Sequence, residues 1–317
     1  MRVARIIKAQ SLFVGAVIGA GFATGKELVT FYGEYALFSI FVSGILLGLM
    51  GSLFMFYGKY NCEKILPKPV KKIIEKSSKL AVVFSWITMC AGMQELANDY
   101  LNGVELALIC TLIVLVCLPK SNAIEFLNNI VVLGIFVMLI FFSSKVKLNV
   151  EYEQHILRSL GYCGLNIMLG GMTVKDDGVN MKNIDILLVG ILSGIVLSVL
   201  MSISYLLSIE HMWASMPMLQ FGKQYGYEHL VVLMIGFSIF TTMIACARTL
   251  YAKNSIHIAQ NENFGIRLVL LCLVGKALRF DACVRYFYSF IGAVGVVYLV
   301  VVIVCVILST KMVISKK

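Results

Sequence analysis

Charged residues are scarce in this chain: 27 lysines and arginines and 17 aspartates and glutamates make up 14% of its 317 residues. A soluble domain carries about 25% charged residues, so this sequence is not that of an ordinary soluble domain. Motifs of catalysis and metal binding are also missing, because no H-E-x-x-H, G-x-S-x-G or C-x-x-C spacing occurs. The four histidines are dispersed and the nine cysteines occur singly. The sequence therefore predicts no enzyme, no cofactor and no metal site built from these residues.

Apolar residues are abundant instead, at 60% of the chain with a mean hydropathy of +0.90. Apolar runs of about 20 residues, the length that crosses the hydrocarbon core of a bilayer, divide the sequence into about ten predicted helices. We therefore predict an all-α, polytopic membrane protein with one transmembrane domain over 1–317. The predicted helices cover 5–32, 36–57, 80–101, 104–118, 123–143, 157–174, 184–208, 229–252, 264–279 and 285–309.

The loop 58–79 holds seven lysines and two glutamates. Loops rich in lysine and arginine stay on the cytoplasmic side of a membrane, so this loop is predicted to be cytoplasmic. An even number of helices then places both termini in the cytoplasm of a protein of the cell membrane. The net charge of +10 is explained by such membrane-flanking loops, and the partners predicted are the lipid bilayer and a small-molecule substrate, with no nucleic acid. The oligomeric state is not predicted.

The first predicted helix contains the run from Val14 to Glu27, which four glycines interrupt. Glycine costs a helix interior about 1 kcal/mol relative to alanine, so Gly19 and Gly21 predict a break at membrane depth. Broken backbone at that depth must line a cavity, where its free polar groups can hold an ion or a solute. The alternative is an unbroken helix with a glycine packing face. Nucleotide-binding motifs overlap the run but lack their strand context and, at Ala20, a required glycine.

A second predicted helix rich in glycine covers 157–174 and contains Gly161, Gly164, Gly170 and Gly171. A break is predicted near Gly161–Asn166. The interrupted helices are the first and sixth of about ten, so the chain divides into two five-helix repeats, about 5–143 and 156–309. Broken helices at corresponding places in two halves are typical of inverted-repeat transporters. The predicted architecture is therefore a 5+5 inverted repeat with helices one and six broken.

The run from Gly15 to Phe22 resembles the unwound first helix of transporters with the LeuT fold, especially those of the amino acid–polyamine–organocation superfamily. The segments 18–27 and 286–292 also resemble a branch of uncharacterised bacterial membrane proteins, the YkvI-like family. The resemblance implies a secondary transporter of a small polar organic solute, such as an amino acid, that works by alternating access. The chain is short for this superfamily, which leaves open a non-transporting membrane protein, receptor-like or part of an assembly, with the same fold.

The resemblance also implies a sodium site. Many LeuT-fold carriers hold Na⁺ between backbone carbonyls of the first helix and a carbonyl and two hydroxyls of helix eight. The matching residues here are Gly15, Ile18, Ser238, Thr241 and Thr242. The last three lie on one helical face because of their i, i+3, i+4 spacing, and Na⁺ prefers oxygen ligands. The alternative is that these hydroxyls bond only to their own helix.

Substrate contacts are predicted at both breaks and on helix three. The predicted substrate-binding residues are Gly19, Ala20, Gly21, Thr24, Gln94, Glu95, Tyr162 and Asn166. An ionisable residue at membrane depth is a candidate for function, so Glu95 can carry a proton in a proton-coupled carrier or bind a cationic substrate. Its alternative is a structural bond to a neighbouring side chain or a helix terminus. Lys26 and Glu27 are predicted as an outer gate or packing pair, and the loop 209–228 as a cap over the site.

Overall fold

The computed structural model describes residues 2–34, 36–117, 121–145, 156–252 and 263–314. Within these ranges the chain is helical and contains no β-strand, as predicted. The α-helices of the described residues are, in chain order, α1 (Arg2–Val17), α2 (Ala20–Thr24), α3 (Lys26–Tyr32), α4 (Leu37–Lys59), α5 (Lys68–Tyr100), α6 (Leu106–Cys117), α7 (Ser121–Ser143), α8 (Ile156–Asn166), α9 (Met172–Val174), α10 (Asn183–Ser208), α11 (Pro217–Gln224), α12 (Glu228–Ala252), α13 (Asn263–Lys276), α14 (Phe280–Cys283) and α15 (Ser289–Ile314).

Long apolar helices dominate the described residues, and five segments among them have the length and composition to cross a membrane. They are Leu37–Lys59, Lys68–Tyr100, Asn183–His211, Glu228–Leu250 and Phe280–Lys311, with shorter apolar helices at Leu106–Val116 and Ile130–Ser143. Large apolar side chains such as Phe41 and Leu187 are exposed on the outside of these helices, where a bilayer would cover them. The chain is a multi-pass membrane protein, and the count of ten and the inverted repeat stay predictions.

Two segments predicted as loops are partly helical. In 58–79 a 3₁₀ turn occupies Cys62–Lys64, and α5 already begins at Lys68. In 209–228 the helix α11 begins at Pro217. Proline suits the first turn of a helix because its missing N–H has no partner there in any case. The prediction of extended loops was wrong at these places, because hydropathy marks the end of an apolar run and not the end of a helix.

The helices α4 and α10 pack with their backbones in direct contact. A Cβ atom added to Gly48 would collide with the carbonyl oxygen of Gly190, and one added to Gly44 would collide with the backbone of Ser198. The Ser198 hydroxyl donates a hydrogen bond of 2.7 Å to the carbonyl of Phe41 across the same contact. Small residues permit this approach, which in a membrane is driven by close packing and polar contacts.

The helices α8 and α15 make a second contact of the same kind. A Cβ atom on Gly164 would collide with the carbonyl oxygen of Gly292, and one on Gly295 would collide with the carbonyl oxygen of Gly164. Because both colliding partners are backbone atoms, no side chain can rotate away to make room. We call this contact the α8–α15 glycine seam.

The orientation in the membrane is tested by Lys68→Cys. Lys68 is exposed at the start of α5, whereas the cysteine side chains that the structure describes are all buried. We expect a membrane-impermeant maleimide to label the variant only after the cells are permeabilised, because the lysine-rich segment 58–79 is predicted to be cytoplasmic. The unsubstituted chain is the control. Labelling of intact cells from outside would reverse the predicted orientation.

Candidate functional site

Helix one, which comprises α1, α2 and α3, is interrupted between Val17 and Ala20. The amide of Gly19 donates to the carbonyl of Val17 at 2.9 Å, only two residues back. Among the described residues, no backbone amide donates to the carbonyls of Gly15 or Ile18, although a regular α-helix would supply donors from positions 19 and 22. The predicted break in helix one is confirmed, and it frees the two carbonyls that were predicted to face Na⁺.

A second interruption of helix one lies at Gly25, where φ is +72°. This left-handed conformation costs a residue with a Cβ atom about 1 kcal/mol or more. A Cβ atom there would also collide with the Ser208 hydroxyl. The Thr24 hydroxyl donates to the carbonyl of Gly21 at 3.0 Å and accepts from the amide of Lys26 at 3.3 Å. Thr24 therefore holds the short helix α2 in place, and its predicted contact with substrate stays a prediction.

Helix six remains helical where the break was predicted. It is α-helical through Asn166 and then forms a π-helical segment at Ile167–Gly171 before α9. The prediction near 161–166 was wrong because Gly164 serves the close contact with α15 and not a break. A π-turn widens the helix without ending it and frequently marks a functional site. Gly170 in this segment lies against Ala16 of α1, with the Cβ of Ala16 3.4 Å from the position of an added Cβ, so the irregular stretches of both helices meet.

Helix eight, which is α12, places one hydroxyl group, that of Thr242, beside the break in helix one. The Thr242 hydroxyl lies 3.6 Å from the position that a Cβ atom would take on Gly19. Thr241 and Thr242 donate to the carbonyl of Ser238 at 3.1 and 2.9 Å. These are the bonds within the helix that the alternative interpretation expects. A hydroxyl that donates its one proton keeps lone pairs for a cation, so the bonds are compatible with a sodium site.

Lys26 and Glu27 make separate contacts and form no ion pair with each other in the described structure. The Lys26 ammonium donates to the carbonyls of Met212 and Ala214 at 3.2 and 2.8 Å. It thereby ties α3 to the segment that follows α10. The Glu27 carboxylate turns back over Gly21, so that its Cδ lies 2.8 Å from the position of an added Cβ. The two side chains do not pair, because Lys26 bonds to carbonyls after α10 while the Glu27 carboxylate lies over Gly21. Their role as an outer gate stays a prediction.

The segment 209–228 covers the second interruption of helix one. Cγ of Met218 on α11 lies 3.2 Å from the position of a Cβ atom on Gly25, and α11 also contacts α2. The sequence predicted this segment as a cap over the site but gave no sign of Met218 or Ser208. Their role depends on close approach between distant segments, which no local pattern shows.

Tyr162 of helix six packs on α3. Its ring lies 5.6 Å from the rings of both Phe31 and Tyr32. The Tyr162 hydroxyl is buried and makes no hydrogen bond of normal geometry among the described residues, although the Asn166 side chain lies beside it. The Asn166 amide donates to the carbonyl of Tyr162 at 3.1 Å. These two predicted substrate residues are therefore adjacent and close to helix one.

Gln94 and Glu95 lie on α5. The Glu95 carboxylate accepts a hydrogen bond of 3.0 Å from the amide of Phe280, at the start of α14. A helix N-terminus favours negative charge, so Glu95 has the structural role that the sequence left open. The Gln94 amide donates to Asn98 and to the carbonyl of Val104 at 3.1 and 3.2 Å, and its own carbonyl oxygen is buried without a partner in the described chain.

Two further predictions concern the substrate contact of Ala20 and the binding of metal ions. The side chain of Ala20 lies outside the described residues, so its predicted contact stays a prediction. Within the parts of the chain that the structure describes, no group of three histidine, cysteine, aspartate or glutamate side chains could hold a metal ion.

An interrupted helix one that contacts helices six and eight in an all-α membrane bundle is the arrangement of the LeuT fold. Comparison with solved structures agrees. The chain superimposes on the manganese transporter of Eremococcus coleocola with a TM-score of 0.62 and 14% identity, over 94% of this chain and 77% of that one. It superimposes on Mhp1, a nucleobase-cation-symport-1 family transporter, with a TM-score of 0.57 and 9% identity, over 88% and 74%. Both neighbours are transporters and not enzymes.

Sequence comparison adds one relative. Over 51 residues the chain is 45% identical to the uncharacterized membrane protein YkvI of Bacillus subtilis (strain 168). The matched segment spans 15% of this chain and 15% of that relative. No family profile matches the chain. The resemblance stated above is therefore supported in sequence over a short segment and in fold over most of the chain.

Proposed function

We propose that this protein is a secondary active transporter that moves a small polar organic solute, an amino acid or a related compound, by alternating access with Na⁺ as the coupling ion. The observation that carries the proposal is the break in helix one. The break frees the carbonyls of Gly15 and Ile18. The Thr242 hydroxyl of α12 lies beside Gly19, within the break. Freed backbone groups at a helix break are the usual means by which such carriers bind ions and solutes.

The arrangement suits a cation held between two helices. The carbonyls of Gly15 and Ile18 would supply ligands from helix one, and Ser238, Thr241 and Thr242 would supply ligands from α12. All five ligands are uncharged oxygens, which fits a monovalent cation with a preference for oxygen. An ion bound there would fasten α12 to the interrupted part of helix one. Binding of the ion and closure of the site would then be linked.

The solute is proposed to bind at buried polar groups that have no hydrogen-bond partner among the described residues. The Tyr162 hydroxyl and the carbonyl oxygen of Gln94 are two such groups among the described residues. A buried polar group without a hydrogen bond costs about 1–3 kcal/mol, and a polar solute would remove that cost. The proposal also draws on the likeness to Mhp1, which is described as a nucleobase-cation-symport-1 family transporter.

The test of function is uptake by the purified full-length chain in proteoliposomes. We expect a panel of radiolabelled amino acids to include at least one solute that accumulates when an inward Na⁺ gradient is applied. Liposomes without protein are the control. Absence of uptake and efflux across the panel would favour a non-transporting protein with this fold. Accumulation driven by a pH gradient alone and lost in Glu95→Gln would instead assign coupling to protons at Glu95.

The sodium site is tested by Thr241→Val and Thr242→Val. Valine keeps the shape of threonine but removes the ligand oxygen. Loss of one bond to a charged group costs about 1.5–3 kcal/mol, so we expect the Na⁺ concentration for half-maximal binding to rise on the order of tenfold or more. Substrate affinity should fall as well, because coupling between two sites is reciprocal. Sodium-stimulated binding of the solute is the measurement.

Thr249→Val is the matched control for these variants. Thr249 lies on the same helix and donates to the carbonyl of Ala245 at 2.9 Å, which is the same kind of bond within the helix that Thr242 makes to Ser238. It therefore reports the cost of losing that bond alone. Equal sodium stimulation in Thr242→Val, Thr241→Val and Thr249→Val would rule out this site.

A further inference from the structure

Glu27 is the feature that the proposed function leaves unexplained. It lies on α3 and is 5% exposed. Its carboxylate has no hydrogen bond and no ion pair among the described residues. Glu95, the other glutamate considered above, accepts a hydrogen bond from a backbone amide. A buried carboxylate stays charged in a membrane only if a donor compensates its charge. Glu95 has such a donor and Glu27 has none among the described residues.

The groups that face Glu27 are neutral. Tyr32 from its own helix, Tyr162 from α8 and Tyr288 from the π-helical segment Val284–Tyr288 lie within electrostatic reach of the carboxylate. The neighbouring ammonium of Lys26 is directed to the carbonyls after α10, and Arg285 on the π-helical segment is exposed.

Two further elements pack against α3 and bring no charge to Glu27. From α10, the Tyr205 hydroxyl donates to the carbonyl of Gly33, and the Ser208 hydroxyl lies at Gly25. From α2, Gly21 touches the carboxylate. No charged group among the described residues compensates the carboxylate.

An uncompensated carboxylate at this place cannot stay charged. Moving an isolated carboxylate from water into a medium of low dielectric costs tens of kcal/mol in the idealised limit, and such groups are neutralised instead. A metal or ammonium ion would need room beside the oxygens, whereas one of them already fills the space that a Cβ atom on Gly21 would take. A proton needs no room. The packing around Glu27 therefore favours protonation over every other form of compensation.

We infer that Glu27 binds a proton while helix one is closed over it, and that this proton is a second ion of the transport cycle beside Na⁺. Hydronium gives up one proton, which breaks an O–H bond and leaves water, and the proton forms an O–H bond with a carboxylate oxygen of Glu27. Release requires water to reach the carboxylate, which is 5% exposed in this structure. The transport part of this inference rests on the proposed function, whereas the protonation of Glu27 does not.

The first experiment is infrared spectroscopy of the full-length protein in lipid at neutral pH. We expect the carbonyl stretching band of a protonated carboxylic acid in the unsubstituted protein and in Glu34→Gln, and its loss in Glu27→Gln. Glu34 is the matched control because it is an exposed glutamate shortly after α3. If Glu27→Gln does not fold, Glu27→Asp keeps the acid group but withdraws it from Gly21, and the band should shift. A spectrum with the same band in all variants, or with none in the parent, overturns the inference.

The second experiment is thermal unfolding across pH. A folded state that holds one proton more than the unfolded chain loses stability as pH rises. We expect the melting temperature to fall with rising pH in the parent and in Glu34→Gln, with a clearly smaller slope in Glu27→Gln. This result does not depend on any transport assay, so it separates failure of the inference from failure of the proposed function.

The third experiment distinguishes a proton from a cationic ligand and measures coupling. A pH-sensitive dye inside the proteoliposomes should report proton movement during sodium-driven uptake by the parent and none by Glu27→Gln. Methylammonium chloride is the probe for the alternative. If methylammonium binds to the parent, fails to bind to Glu27→Gln, and the parent shows no acid band, then the carboxylate serves a cation and the inference is wrong.

Discussion

Gly21→Leu will abolish solute uptake while leaving the protein in the membrane. A single Cβ atom at position 21 would collide with the Glu27 carboxylate and come within 3.2 Å of the Cβ of Glu27. Leucine adds three more carbons at a buried position that is enclosed by helix one itself. The carboxylate must then leave its place, and α3 cannot close on α2. We expect uptake at the level of empty liposomes, with membrane insertion and expression near those of the parent.

Gly19→Ala is the control for that variant. Among the described residues other than its chain neighbours, the Thr242 hydroxyl alone lies within 4 Å of a Cβ at position 19, at an ordinary contact distance of 3.6 Å. The backbone of Gly19 has a φ of −99°, which alanine adopts without strain. We therefore expect substantial uptake by Gly19→Ala. Full uptake by Gly21→Leu would show that closure of helix one over Gly21 is not part of transport.

Gly164→Leu will prevent accumulation of folded protein. Position 164 lies in the α8–α15 glycine seam, where a Cβ atom would meet the carbonyl oxygen of Gly292 and the amide nitrogen of Val296 at 2.8 Å. Overpacking a well-packed site costs about 1–3 kcal/mol when side chains can adjust. Here the backbone of a whole helix must move, so we expect the loss of folding stability to lie at or above the upper end of that range. We expect little or no monodisperse protein by size-exclusion chromatography and a lowered melting temperature for any that remains.

The matched control is Gly134→Leu. Gly134 also lies inside an apolar helix, α7, but a Cβ atom there would meet no atom of the described part of the chain within 4 Å. The two variants share the change of glycine to leucine and the gain in helix propensity. They differ in whether the new side chain meets the backbone of a neighbouring helix. Equal yields of Gly164→Leu and Gly134→Leu would show that the seam does not hold the fold together.

The sequence alone identified the break in helix one because its signals are local. Gly19 and Gly21 weaken a helix regardless of what surrounds them, and the structure places the interruption next to them, between Val17 and Ala20. The i, i+3, i+4 spacing of Ser238, Thr241 and Thr242 likewise defines a face before any neighbour is known. The structure adds that this helix lies against Gly19.

Other features could not be predicted because they depend on partners far along the chain. Glycines that permit a helix crossing and glycines that break a helix look the same in sequence, and for this reason Gly164 was misassigned. Lys26 and Glu27 are adjacent in sequence and opposite in charge, which suggested a pair. The structure instead directs Lys26 to carbonyls 186 and 188 residues away. The hydrogen bond between Glu95 and Phe280 spans 185 residues and could not be predicted from sequence for the same reason.

The contact between α4 and α10 bears on how the molecule can change shape. These helices come from the two predicted halves of the chain, and their backbones touch at Gly48 and Gly190. Close-packed interfaces of this kind deform poorly. We therefore expect α4 and α10 to move together as one rigid unit. Motion between the halves then cannot be absorbed by sliding at this contact. We therefore expect bending to occur where helix one and helix six depart from regular geometry, at 18–19 and in the π-helical segment Ile167–Gly171.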